Sequence, residues 1–234
     1  MEMKELARPT ARQRADVIAL LTDSFWRTPL FQSYLFAGRK ALARSFLAAL
    51  LRYGMRAGRV FVMEDSGKPV ACALWSGPDS PEMSLQTYLT TGMWPQMLSI
   101  ALRSPAAMRR VAELFRFLEG YVPGFPCHTL EFLASTQKGA GAALVRACLP
   151  RFRDLPLYVE SIVSKNDHAF YRQFGFKPFA KAEFHGTDYA FALLDEAEAA
   201  QAAEEPAPAE AGAADAPQPA QTASPMSQAD ALRP

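Results

Sequence analysis

Apolar positions recur at helical spacing through much of the first 120 residues. The segment "RKALARSFLAALLRYGMRAG" (39–58) repeats them every three or four positions and stops at Gly58, which predicts a helix ending there. Before it, "ELARPT" (5–10) predicts a short strand and a turn, and Thr10 is placed to cap a helix from Ala11 to about Asp23. Residues 84–120 are also helical in pattern, and we expect breaks near Pro95 and Pro105.

Strand-like runs dominate the rest. "RVFVME" (59–64) and "VACALWS" (70–76) flank a Gly- and Pro-containing turn, which predicts a hairpin. Later strands are predicted in "HTLEFLAS", "LPLYVES", "FKPFAKAEF" and "TDYAFALL", with helices in "GAALVRACLPRF" and "DHAFYRQFG" between them. This order predicts an α/β or α+β domain with a mixed sheet.

The composition changes after Leu194. Residues 196–234 consist mainly of Ala, Pro, Glu and Gln and contain almost no large apolar side chains. Such a segment cannot bury enough surface to offset its ordering entropy. We therefore expect one folded domain over residues 1–195 and a disordered tail over 196–234.

Charge and cysteine usage narrow the classes of function. The formal net charge is +1 with no long basic run, so nothing favours nucleic acid or an anionic membrane as a partner. Cys72, Cys127 and Cys148 lie far apart without CxxC spacing, which argues against a disulfide framework and a zinc site and favours reduced thiols in a cytoplasm.

The N-terminus lacks the apolar region of a signal peptide. The uncharged stretch Met83–Leu102 is polar enough to favour helices covering a pocket over a membrane span.

A glycine-containing turn lies between a predicted strand and a predicted helix in "LASTQKGAGAALVRACLP" (133–150). Unpaired N–H groups at a helix N-terminus and the helix dipole favour an anion, and Lys138 adds a positive charge. The dinucleotide pattern GxGxxG fails because Leu144 occupies its third glycine position, and the P-loop pattern fails as well. From this stretch alone, a phosphate-binding turn and a purely structural turn both remain open.

Two motifs in order provide a family resemblance. "TQKGAGAAL" followed by "YVES…KNDHAFYRQFGF" resembles the GNAT superfamily of acyl-CoA-dependent N-acyltransferases. In the first half, "FWRTPLFQSYL" and "RVFVMEDSGKPVACALWSGP" resemble the branch that includes puromycin N-acetyltransferase. The resemblance spans about Leu6 to Leu194. It implies a mixed, mostly antiparallel central sheet flanked by helices, with a splayed strand pair forming the acyl-CoA cleft.

The resemblance also implies how the co-substrate acetyl-CoA is held, without a metal. The end of one splayed strand pairs with the pantetheine arm and offers a backbone N–H to the thioester carbonyl. These strand positions are Phe132, Leu133, Ala134 and Ser135. The turn that holds the pyrophosphate through backbone N–H groups corresponds to Lys138, Gly139, Ala140, Gly141, Ala142 and Ala143. Asn166 and Phe170 correspond to positions near the CoA arm.

Three residues are candidates for proton transfer. Tyr171 corresponds to the tyrosine that protonates the departing thiolate in many members, although it is also suited to packing the last helix on the sheet. Glu131 lies inside the apolar strand "TLEFLA" and Glu160 near the end of "LYVES", where burial raises a carboxyl pKa towards that of a usable base. A water relay with no single base remains the alternative.

Several features depart from the family pattern or remain undecided. Thr136 stands where members have Gln or Arg, and the stretch from strand to turn is about four residues shorter. Asn166 lies five residues before Tyr171 rather than four, which brings Asp167 into consideration. His128 is more typical of a packing or surface residue than of an acceptor site. An aromatic set could contribute to a core or a pocket: Trp26, Phe31, Tyr34, Trp75, Tyr88 and Trp94.

We therefore expect an N-acetyltransferase that transfers an acetyl group from acetyl-CoA directly to a primary amine of a small molecule, as a monomer or homodimer. No Ser/His/Asp or Cys/His arrangement favours a covalent enzyme intermediate. Two alternatives remain: a catalytically inactive protein of this fold that binds acyl-CoA or another ligand, and an enzyme that acetylates proteins.

Overall fold

The strands form one seven-stranded sheet in the order β1-β2-β3-β4-β5-β7-β6. The computed structural model describes residues 1–81, 87, 90–162 and 168–195, with backbone only at 168 and 169. The strands are β1 Glu2–Glu5, β2 Arg59–Asp65, β3 Lys68–Ser76, β4 His128–Ser135, β5 Leu157–Ile162, β6 Lys177–Phe184 and β7 Thr187–Leu194. Neighbouring strands are antiparallel except β4 and β5, which are parallel.

Helices in the described residues cover both faces of the sheet. They are α1 Ala11–Phe25, α2 Lys40–Ala57, α3 Trp94–Arg103, α4 Pro105–Glu119, α5 Ala140–Cys148 and α6 His168–Arg172. A π-helix, Leu30–Leu35, joins α1 to α2, and a 3₁₀ turn, Leu149–Arg151, follows α5. None of the helices in these described segments is both long and apolar enough to cross a bilayer.

Two hydrophobic cores follow from this arrangement. On one face, α1 to α4 pack against inward side chains of β2 to β5, such as Leu74, Phe132 and Tyr158. On the other face, α5 and the aromatic segment around α6 pack against the opposite sides of the same strands, including Trp75 and Val159. The central strands of the sheet are therefore buried on both sides.

The mixed, mostly antiparallel sheet flanked by helices confirms the predicted fold class. The hairpin around residues 66–67, the helix ending before Gly58 and the four later strands also form as predicted. The first strand was misplaced, because β1 is Glu2–Glu5 and ends before most of "ELARPT". The alternation of apolar and polar residues at the N-terminus is short. The position of β1 is set by its pairing with β2, which the local sequence does not reveal.

The breaks expected near Pro95 and Pro105 form as predicted, and a new helix begins at each of them. Pro95 is the second residue of α3, after Trp94, and Pro105 is the first residue of α4. Proline fits there because its missing N–H has no partner within the helix and its fixed φ suits the first turn. Ser104 caps α4 by accepting a hydrogen bond from the Ala107 N–H.

Candidate active site

The parallel strands β4 and β5 separate within the sheet. Their ladder joins His128 to Leu157 and continues only to Leu130 and Val159. Beyond that point β4 runs on to Ser135 and remains paired with β3 on its other side. The splayed strand pair expected from the resemblance is therefore present, and it leaves backbone edges of β4 and β5 facing a wedge-shaped gap.

A β-bulge lies where the wedge begins. Leu130 is opposite Trp75 and Phe132 is opposite Leu74, so Glu131 is an extra residue in β4. A bulge redirects the side chains around it. Here Leu130 packs in the core beneath α5, whereas Phe132 packs in the core beneath α1 and α2. The bulge thus turns the Glu131 carboxylate into the wedge instead of placing it on an ordinary strand face.

Two carboxylates meet in this wedge. Glu131 and Glu160 line the same cavities. Glu131 keeps an open surface towards the cleft, yet protein atoms enclose its carboxylate and burial raises its pKa above the ordinary value. Burial, together with the nearby charge of Glu131, raises the pKa of Glu160 to about 8. The two groups interact, so they titrate as a pair that retains a proton near neutral pH.

Two neighbouring hydroxyl groups hold these carboxylates. The Ser76 hydroxyl at the end of β3 donates a short hydrogen bond to Glu131 Oε1. The Tyr158 hydroxyl, two residues before Glu160 on the same strand face, donates to Glu160 Oε1 at 3.2 Å. Sequence reasoning missed both residues. Tyr158 could have been found from the two-residue spacing, whereas Ser76 is brought to Glu131 only by the β3–β4 register.

Two cavities meet at the carboxylate pair. The first, of about 330 Å³, extends towards the C-terminal ends of β4 and β5, where Leu133, Ile162 and Tyr171 line it. The second, of about 570 Å³, extends towards the N-terminal end of β4, where Ser76, Ser80 and Thr129 line it. Six residues line both cavities: Leu50, Phe115, Leu118, Glu131, Phe132 and Glu160. The carboxylates can therefore be reached from two directions.

The charged residues of both linings are all acidic. Glu131 and Glu160 lie at the junction, and Glu119 lies towards the exposed part of the second cavity. Neither lining contains Lys, Arg or His among the residues that the structure describes. The remaining surface is largely aliphatic and aromatic. Such a lining favours a cationic or apolar occupant and disfavours an anion.

The glycine turn follows β4 directly. Gly139 has a φ of +79° and precedes α5, and no side chain caps that helix. A Cβ on Gly141 would lie 3.3 Å from Cβ of Ser135, so the start of α5 packs closely against the end of β4. Both interpretations of the turn thus have a physical basis: the N-cap residue Gly139 supplies no side-chain cap to α5, and Gly141 permits close packing.

Tyr171 is half-buried on α6 at the end of the first cavity. Its ring packs edge-on against Phe170 at 4.9 Å and against Phe176 at 5.7 Å between ring centres. Both Tyr171 and Phe170 line the first cavity. The Tyr171 side chain therefore packs against neighbouring rings and also lines the first cavity.

Other predicted residues lie elsewhere. His128 forms a 2.9 Å contact with Asp154 through Nε2 and lines neither cavity. Trp75 is fully buried in the core beneath α5, and Trp94 is 49% exposed. Of the aromatic set, Phe31 lines the first cavity. Tyr88, Asn166, Asp167 and the tail 196–234 lie outside the described residues.

The three cysteines are buried and free. Burial raises the pKa of each thiol above its ordinary value. Among the residues described, no group of three or more His, Cys, Asp and Glu side chains is arranged to hold a metal ion.

No protein-family model matches the chain, and no curated protein matches it. Solved structures do. An N-acetyltransferase from Staphylococcus aureus Mu50 is 14% identical with a TM-score of 0.51, over 83% of this chain and 100% of that one. The Drosophila melanogaster polyamine N-acetyltransferase, which forms N-acetylagmatine, is 14% identical with a TM-score of 0.50 over the same shares.

A third similar structure is the C-terminal condensation domain of Ebony in complex with β-alanyl-dopamine. It is 11% identical with a TM-score of 0.54, over 83% of this chain and 99% of that domain. At these identities the likeness establishes the fold. The chain has the fold of GNAT N-acetyltransferases, as the motifs predicted, while the resemblance to the puromycin branch stays a prediction.

Proposed function

We propose that this protein is an N-acetyltransferase that transfers an acetyl group from acetyl-CoA directly to the primary amine of a small, cationic molecule. The observation that carries the proposal is the meeting of two cavities at Glu131 and Glu160, inside the wedge between β4 and β5. Such a site brings two substrates together from opposite sides and places titratable groups at their meeting point.

In this proposal the thioester occupies the first cavity. The pantetheine arm pairs with the free edge of β4 from Phe132 to Ser135, as an added strand would. The pyrophosphate lies against the start of α5 from Gly139 to Ala143, where N–H groups and the helix dipole favour an anion and Lys138 adds charge. Phe170 borders the acyl arm. Asn166 stays a predicted contact outside the described residues.

The acceptor occupies the second cavity. Because the charged residues in its described lining are all acidic, the cavity favours an ammonium group over any anionic acceptor. The apolar side chains of Leu50, Phe115 and Leu118 suit an acceptor with an aliphatic or aromatic body. A short cationic amine with an apolar body therefore fits the cavity better than an acidic peptide or a sugar phosphate.

The reaction needs two protons to leave the amine and one proton to reach the departing thiolate. The ionised carboxylate of Glu160, coupled to Glu131, accepts a proton from the ammonium group, and the free amine attacks the thioester carbonyl carbon. A backbone N–H of β4 stabilises the oxyanion that forms. The C–N bond forms, the C–S bond breaks, and Tyr171 donates its hydroxyl proton to the departing thiolate. The second amine proton also passes to the carboxylate pair. Of the two protons taken from the amine, one returns through solvent to the Tyr171 phenolate and the other leaves to solvent, which restores both groups.

The first test is acetyl-CoA binding by calorimetry, comparing wild type with Gly141→Glu and Lys138→Glu. We expect micromolar binding by wild type and at least a tenfold loss in both variants, because each adds a negative charge where the pyrophosphate would lie. Gly124→Glu is the matched control, since a side chain at Gly124 meets nothing within 4 Å and lies far from α5 in sequence. The exposed Lys138 variant keeps the test valid if Gly141→Glu misfolds.

The second step is thiol release from acetyl-CoA with a panel of primary amines. We expect turnover that falls steeply in Tyr171→Phe while acetyl-CoA binding persists, and a sequential rather than ping-pong kinetic pattern. Binding without turnover by any amine or peptide would instead identify an inert ligand-binding protein, and turnover only with peptides would identify a protein acetyltransferase. Absence of binding by wild type would overturn the proposal.

A further inference from the structure

Four arginines surround a separate cavity of about 520 Å³ on the other side of α2. Arg8 comes from the loop after β1, Arg14 from the first turns of α1, and Arg52 and Arg56 from the second half of α2. Pro9 and Met55 complete most of its wall. We call this cavity the arginine pocket.

Two of these guanidinium groups are fixed in place. Nη1 of Arg52 donates to the Gly92 carbonyl, and Nη1 of Arg56 donates to the Thr90 carbonyl, each at 2.9 Å. The two residues are one helical turn apart, so their side chains lie next to each other on α2. A guanidinium has five N–H donors, and one anchoring bond leaves the others for a ligand.

A third arginine has an unmet hydrogen-bonding requirement. Nε of Arg14 is buried and has no hydrogen-bond partner in the described structure. A buried donor without an acceptor is costly and is uncommon in native proteins. No Asp or Glu belongs to the described lining, so among the residues that the structure describes four positive charges converge on one cavity without an acidic partner in its wall. An anion with several acceptor oxygens would meet both requirements.

The arginine pocket is distinct from both halves of the candidate active site. The N–H of Leu6, directly after β1, donates to the carbonyl of Val60 at the beginning of β2, whereas Glu2 is level with Glu64 near the opposite end. The antiparallel pairing through β3 places the start of α5 at the level of that opposite end, near Ala71 and Ser135. The pocket is therefore not the proposed pyrophosphate turn.

We propose that the arginine pocket binds a phosphate-bearing anion. The planar fork of N–H donors on a guanidinium matches a pair of phosphate oxygens, and several guanidinium groups together favour a di- or triphosphate over a single carboxylate. The pocket shares helix α2 with the active site, because Leu50 and Tyr53 of the same helix line the acceptor cavity. An occupied pocket would hold this half of α2 and the segment at residues 90–92 together.

The test measures binding of inorganic pyrophosphate and of ATP at constant ionic strength, by calorimetry and thermal unfolding. The informative variant is Arg14→Gln with Arg56→Gln. Its matched control is Arg12→Gln with Arg44→Gln, which removes the same charge from the same two helices at exposed positions. Gly141→Glu separates this site from the proposed CoA turn.

We expect saturable stabilisation of wild type, at least a tenfold loss of affinity in the Arg14/Arg56 variant, and wild-type binding in the control and in Gly141→Glu. Equal affinity for both probes would identify the phosphate group alone as the ligand chemistry, and tighter ATP binding would identify a nucleotide. Absence of binding, an equal loss in the control, or loss only in Gly141→Glu would overturn the proposal. None of these outcomes depends on acetyltransferase activity.

Discussion

At the scale of single residues, the most consequential feature is the raised pKa of Glu160. Burial and the neighbouring Glu131 both act against its ionised form, so the group holds a proton up to about pH 8. A carboxyl group with that pKa is a far stronger base than an ordinary glutamate and can accept a proton from an ammonium ion. The hydrogen bond from Tyr158 acts in the opposite direction and stabilises the carboxylate.

This pKa predicts the pH dependence of the reaction. We expect kcat/KM of wild type to rise with pH and to level off above the pKa near 8, as Glu160 becomes ionised. In Glu160→Gln we expect a loss of about 10²–10⁴-fold and no inflection in that range. The control is Glu119→Gln at the exposed part of the acceptor cavity, which should retain the inflection. An unchanged profile in Glu160→Gln would remove Glu160 as the base.

The same variant has a signature in stability that needs no substrate. The unfolded chain loses the Glu160 proton near pH 4.3, whereas the folded protein keeps it to about pH 8. The folded state therefore binds more protons in that window, and stability falls as pH rises across it. Glu160→Gln should flatten this fall in a series of urea denaturations. Parallel curves for the two proteins would contradict the raised pKa.

At the scale of secondary structure elements, the sequence predicted most of what local chemistry controls. The sequence indicated the helix end at Gly58, the helix cap at Thr10 and the hairpin. It also showed the unusual placement of Glu131 in an apolar strand. The bulge at Glu131 and the contact from Ser76 were not, because both depend on the register between β3 and β4. The helix breaks near Pro95 and Pro105 were also predicted, because proline fits the first turn of a helix and not its interior.

The capping of α1 gives a prediction at this scale. The Thr10 hydroxyl accepts from the Gln13 N–H at 3.2 Å, and the Gln13 side chain accepts from the Thr10 N–H at 2.9 Å. Thr10→Ala should lower the free energy of unfolding by about 1 kcal/mol, measured by urea denaturation at neutral pH. Gln13→Ala should cost less, and the double variant less than the sum, because the two residues share one capping box. Additive losses would show that the two bonds act separately.

At the scale of the whole molecule, one contact joins the last hairpin to the helical layer. In the turn between β6 and β7, the ring of His185 stacks on Tyr34 of the π-helix at 4.0 Å. Both side chains contact Glu113 of α4, the Tyr34 hydroxyl donating to Oε2 at 2.8 Å. Three elements that are distant in sequence therefore meet at the Glu113 carboxylate. The helix that carries it, α4, also lines both cavities.

This contact predicts part of the acid sensitivity of the fold. The hydrogen bond from Tyr34, followed by that from His185, holds the pKa of Glu113 below its ordinary value. The stabilisation is present above the pKa of the unfolded chain, about 4.3, and is lost as pH falls through the lowered value. Glu113→Gln should therefore reduce the fall in Tm on acidification, and Tyr34→Phe should reproduce part of that change. If the Tm of both variants falls on acidification as steeply as that of wild type, this role of Glu113 is contradicted.

The splay of β4 and β5 has a further consequence for the molecule in solution. A sheet edge with unpaired N–H and C=O groups ordinarily invites strands of other molecules and so promotes aggregation. Here the two edges beyond Leu130 and Val159 face each other inside a single sheet whose faces are covered by helices. A foreign strand would have to thread between them instead of adding alongside. The inner edges of β4 and β5 can thus keep backbone groups available for recognition without acting as a template for another molecule's strand.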